Sequence, residues 1–129
     1  MNFRLLCILM LVSAGPFGLA FLLVPELVSS LYGVTGFNPG TIILGRKYGV
    51  GLLFASAGAY AVMNSADLAL QRRFAQAFGA VSAIGAIVSL HAVLTSSANS
   101  LMWSIVVLFG AFFFGWSMVA IRVTRSANA

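Results

Sequence analysis

The chain has 129 residues, of which 61% are hydrophobic and only 7% charged, against about a quarter charged in an ordinary soluble domain. A water-soluble core of this length cannot use so much apolar surface, whereas a bilayer can. The net charge of +5 would suit nucleic acid. The cations, however, flank apolar segments with no interleaved base-stacking aromatics, so they read as a topology signal and nucleic acid is not an expected partner.

Residues 3–24 are nearly continuous apolar sequence. At ~1.5 Å per residue they can cross a ~30 Å hydrocarbon layer. The start resembles a signal peptide, with Arg4 before an apolar block and small Ala14 and Gly15 after it. The apolar run continues past Pro16 to Val24 without a small-x-small cleavage site, which favours a retained first span kinked at Gly15-Pro16. Cys7 is the sole cysteine. An internal disulfide and a CxxC pair are therefore excluded, and among Leu and Ile it reads as a small buried hydrophobe.

Pro25 suits the first turn of a new helix, where its missing amide donor is not needed. Leu27, Val28, Leu31 and Tyr32 follow at helical spacing, which predicts a short helix over residues 25–32 lying along the membrane surface. Residues 33–40 read as a turn-rich loop. Asn38-Pro39-Gly40-Thr41 then opens a second span over residues 41–63, with Arg46 and Lys47 about a turn and a half inside it. Charges at that depth are costly and are kept for a partner or a task. Gly45 and Gly49, with Gly51, Ala55 and Ala59 on a neighbouring stripe, offer small rows for close helix approach in lipid.

Residues 64–67 form a polar joint with helix-capping chemistry. Residues 68–76 carry Arg72 and Arg73, and the third span proper is expected over 74–94 with Ala75, Gly79, Ser82, Ala86 and Ser89 as a small face. A second polar joint at 95–100 leads to a fourth span, 101–121, rich in aromatic residues. On a helical wheel, Phe109, Phe112, Phe113 and Trp116 share a broad face, with Ser104, Ala111 and Gly115 largely on another. The expectation is that the second and third spans pack on each other through their small rows. In the fourth, the small side should face inward and the aromatic side outward, towards lipid or towards a partner.

The expected fold is thus all-α: an integral membrane four-helix bundle, one transmembrane domain over residues 1–129, with a short interfacial helix after the first span. Arg4, Arg72, Arg73, Arg122 and Arg125 fall on one side, which places both termini in the cytoplasm. A bacterial inner membrane is the expected location.

This topology brings Glu26, Tyr32, Arg46, Lys47, Tyr48 and His91 to one layer near the outer face. Two readings of that layer stay open. In one, Glu26 neutralises Arg46 or Lys47, Lys47 snorkels and His91 bonds locally. In the other, the layer is a ligand site in which Arg46 holds an anionic or carbonyl group and His91 moves a proton. No second ligand stands at metal spacing around His91, so no metal is expected. No catalytic residue and no cofactor is implied. The absence of a mid-membrane acid speaks against a proton-coupled exporter, and no phosphate-binding glycine loop or Ser-His-Asp set occurs.

Pro25 after the first span, Tyr32-Gly33, Pro39, and Gly45-Arg46 with Tyr48-Gly49 resemble small bacterial four-helix membrane proteins of the DoxX-like type. The resemblance implies a four-helix bundle. In some members it also implies association with quinone or thiol redox systems, for which this chain lacks the cysteines. Two functions follow as expectations. The first is a non-enzymatic accessory or scaffolding subunit of a larger membrane complex or homo-oligomer. The second is a membrane protein that binds a small ligand, lipid or quinone in the outer polar layer.

Overall fold

The computed structural model describes residues 2–95 and 99–127. It is all-α, with five helices in the order α1 (Phe3–Leu23), α2 (Pro25–Leu31), α3 (Pro39–Val62), α4 (Leu68–Leu94) and α5 (Met102–Ala127). Three of them are long and apolar enough to cross a membrane: α1, α4 and α5 up to Arg125, with mean hydropathies of 2.3, 2.0 and 2.2. The predicted second span, α3, is 24 residues long but is not among these three, because Arg46 and Lys47 lower its hydropathy. The polar joint expected at 95–100 lies partly outside the described residues.

Local chemistry sets the helix ends. Asn38 Oδ1 accepts from Thr41 N–H (3.0 Å) while Thr41 Oγ1 accepts from Asn38 N–H (2.9 Å), a reciprocal capping box with Pro39 at the first helical position. Asp67 Oδ1 caps α4 by accepting from Ala69 N–H (2.8 Å) and Leu70 N–H (3.2 Å). That cap starts α4 at Leu68, so the segment expected to precede the third span is its first two turns. α1 runs through Pro16 as one helix. Gly33 and Gly36 turn the α2–α3 loop with φ of +85° and +74°.

The long helices pack as two antiparallel pairs, α1 with α3 and α4 with α5. This corrects the expectation that the second and third spans pack on each other. Both small rows are used, but on other neighbours. On α3, a Cβ at Gly49 would lie 2.6 Å from the Gly18 carbonyl oxygen, and one at Gly45 would lie 2.8 Å from Pro25 Cβ. Backbone therefore meets backbone where α1 crosses α3. On α4, the buried row of Ala75, Gly79 and Ser82 receives side chains of α5, Trp116 above all.

The two pairs are tied to each other at both ends. At one end Phe3, Leu6, Cys7, Ala59, Ala75, Trp116, Val119 and Val123 form the core, and Cys7 is fully buried as the sequence suggests. Trp116 presents T-shaped contacts to Phe3 (6.0 Å) and Phe74 (5.6 Å). At the other end Asn99 N–H donates to Tyr32 C=O (3.0 Å) and Asn99 Nδ2 donates to Leu31 C=O (2.7 Å). Outside, the bundle is covered with apolar side chains such as Phe54, which is 75% exposed. Water would not tolerate such a surface over whole helices; lipid would.

Candidate functional site

Between the tied ends the two helix pairs leave a cavity of about 250 Å³. Every long helix contributes to it. Met10, Ser13, Ala14 and Phe17 come from α1, and Tyr48, Gly51, Leu52 and Ala55 from α3. Phe78, Val81 and Ser82 come from α4, and Ile105, Leu108, Phe109, Phe112 and Trp116 from α5. The wall is almost wholly hydrocarbon and aromatic. Its two serine hydroxyls donate within their own helices, Ser13 Oγ to Leu9 C=O (2.8 Å) and Ser82 Oγ to Phe78 C=O (2.7 Å). Their donor capacity is spent there, whereas the buried Trp116 Nε1–H has no partner among the described residues, so the space suits a largely apolar occupant that could offer one acceptor.

Gly51 keeps part of this space open: a Cβ built on it meets nothing within 4 Å. On α5, Phe109 packs against Gly85 of α4, where an added Cβ would come within 2.7 Å of the ring. A second apolar hollow of about 460 Å³ runs between α1 and α5, lined by Leu6, Leu9, Val12, Ser13, Leu108, Ala111 and Phe112. Ser13, Leu108 and Phe112 line both spaces, so they form the partition between them.

The residues expected in an outer polar layer come from α2 and the turn that ends it, the first turns of α3 and the last turn of α4. Glu26 stands half-buried in the first turn of α2, while Arg46 and Lys47 are exposed on α3. Among the described residues no ion pair joins Glu26 to either cation. His91 is exposed in the last turn of α4, where its carbonyl accepts from Thr95 N–H (3.0 Å). Tyr32 is buried at the end of α2; burial pushes its phenol up from the ordinary tyrosine range, and a side-chain hydrogen bond with Ser104 opposes that. Tyr48 is 47% exposed, sets its ring edge-on against Phe21 at 5.0 Å, and lines the cavity.

The aromatic face of α5 is also placed differently from the wheel reading. Trp116 is 0% exposed and Phe109 and Phe112 line the cavity, whereas Ser104 and Ala111 are exposed. The reason is volume. The small row on α4 leaves a trough that large rings fill, and small α5 residues would have left it empty. Phe113 is half-buried and leans on the exposed Phe114 at 5.3 Å, and Gly115 is buried on the other flank.

The structure thus joins Tyr48 to Phe109, Phe112 and Trp116 around one cavity. Met10, Ser13, Phe17 and Phe78 belong to the same wall and give no signal in the sequence, since α1 is apolar all round and shows no preferred face. No family model, no curated protein and no solved structure matches the chain. Fold and surface define an all-α protein with three helices fit to cross a bilayer, and with an apolar cavity between helix pairs.

Proposed function

We propose that this chain is a small integral membrane protein that binds a lipid-soluble molecule between its two helix pairs. The observation that carries the reading is the cavity of about 250 Å³, walled by hydrocarbon and aromatic groups from α1, α3, α4 and α5. Ligand sites of bundles form in this way, between facing helices and with few polar groups. The molecule would enter from the membrane through the hollow between α1 and α5. The likeness to DoxX-like proteins points the same way, since some of those associate with quinones.

In this reading α3 is a fourth span. It runs antiparallel to α1 in backbone contact, and Arg46 and Lys47 stand near its first turns, within reach of the interface. The five arginines at the opposite end support a cytoplasmic side for both termini in this reading. The accessory-subunit reading loses its first ground, because the aromatic face meant for a partner is largely turned inward.

The test is purification in a mild detergent, solvent extraction and mass spectrometry of the extract. A stoichiometric small molecule is expected with the natural chain, and its loss with Gly51→Leu, which fills the cavity without a clash at Cβ. A co-purifying protein with no small molecule would return the subunit reading to first place.

A further inference from the structure

At the arginine-rich end, a separate open pocket of about 300 Å³ is lined by Asn2, Phe3, Arg4, Met63, Asn64, Ser65 and Gln71. It lies where the start of α1, the end of α3 and the start of α4 meet. Apart from Phe3 and Met63, its lining is made of amides, a hydroxyl and a guanidinium, with no carboxylate. The chain has two acidic side chains, Glu26 and Asp67. Glu26 belongs to the other end, and Asp67 near this pocket is turned to the cap of α4.

The donors here are largely unspent. Arg4 has no ion-pair partner among the described residues. Asn2 uses its Oδ1 to accept from Arg4 N–H (3.2 Å), which leaves its amide N–H groups available. Gln71 Nε2 donates to Ser65 C=O (2.7 Å), and one turn of α4 carries Arg72 and Arg73 directly after it. A cation with neutral donors and no acid is the chemistry that selects an oxyanion with several acceptor atoms. The pocket's level matters as much. It sits at the end of α1 and α4, both long and apolar enough to cross a bilayer, so that in a spanning chain it would stand near the level of the lipid phosphates.

We infer that this pocket binds a phosphate oxyanion at the membrane surface, with Arg4 as its charged contact and Asn2 and Asn64 as neutral donors. The shared chemistry is the phosphate, whether on an anionic lipid headgroup or free. The inference is independent of the cavity reading, because the two spaces share no lining residue.

The experiment is native mass spectrometry of the full chain in mild detergent, titrated with phosphatidylglycerol or with diacylglycerol, which lacks the phosphate, of equal chain length. The natural chain should prefer phosphatidylglycerol by roughly tenfold, the size of one charge-assisted hydrogen bond. Arg4→Gln should erase that preference, and Asn64→Ala, which keeps the charge, should lower it about threefold, as one neutral hydrogen bond would. Arg125→Gln removes the same charge at the same end without touching the pocket, and should leave most of the preference. Competition by inorganic phosphate would identify free phosphate as the ligand; no competition would identify the lipid headgroup. Equal binding of the two lipids overturns the site. So does an Arg125→Gln loss as large as that of Arg4→Gln, which is what a smeared basic surface would give. Arg4 and Asn64 are exposed, so helicity should survive both changes. If Arg4→Gln loses helicity, an unchanged preference in Asn64→Ala overturns the site.

Discussion

The two helix pairs solve the same packing problem with opposite means. Where α1 meets α3, glycines bring backbone onto backbone, and Gly18 and Gly49 leave no space between them. Where α4 meets α5, small residues on one helix take large rings from the other, Trp116 beside Gly79 and Phe109 over Gly85. A backbone contact cannot yield, since moving it moves a whole helix. A ring can turn about its own χ angles. The cavity lies between the two pairs, and Phe109, Phe112 and Trp116 of the ring-packed pair form part of its wall, so adjustable volume borders the space where a ligand would sit.

That contrast can be broken by substitution. Gly49→Val places a branched side chain where the Gly18 carbonyl oxygen stands, 2.6 Å from the new Cβ. It should cost about 3 kcal/mol or more and abolish the folded state in detergent, read as loss of the thermal transition. A variant with natural stability would mean that the crossing is loose. Trp116→Ala empties the fully buried centre of the core. Its cost should be about 3 kcal/mol, at the low end for large-to-small changes, because in lipid the unfolded reference is also apolar and mainly packing is lost.

Gly85→Ala is the counterpart on the adjustable side. The new Cβ would meet the Phe109 ring at 2.7 Å, but a ring can rotate away, so about 1–2 kcal/mol is expected. Phe109→Leu in the same chain should recover most of it. Additive losses would show that the α4 backbone, not the ring, takes the strain. Asn99→Ala removes the side-chain donor to Leu31 C=O where the pairs are tied. About 1 kcal/mol is expected, with faster hydrogen exchange confined to that end.

The helices themselves were legible from the sequence. Asn38, Pro39 and Asp67 mark helix starts by capping chemistry that acts within three residues, and Gly33 and Gly36 mark the loop between α2 and α3. Partner choice between helices was not. The rows at Gly45-Gly49 and Ala75-Gly79-Ser82 announce close packing, but a small row accepts either another backbone or a large ring. Only the three-dimensional arrangement decides which. The cavity was half visible: Tyr48, Phe109, Phe112 and Trp116 stood out by type, but for different reasons and in different imagined places. Its α1 wall had no signal, because a helix apolar on every side conceals which side matters.

The most direct test uses the two tryptophans. Trp116 is fully buried and lines the cavity, while Trp103 is about half exposed on the outer surface of α5. Single-tryptophan chains, Trp103→Phe and Trp116→Phe, would be titrated with a brominated fatty acid, a quencher that acts only near contact. Trp116 fluorescence should be quenched saturably in the otherwise natural chain and should resist quenching once Gly51→Leu fills the cavity. Trp103 should be quenched alike with and without Gly51→Leu. Quenching of Trp116 that is absent, or that Gly51→Leu leaves unchanged, would contradict a binding cavity between the helix pairs.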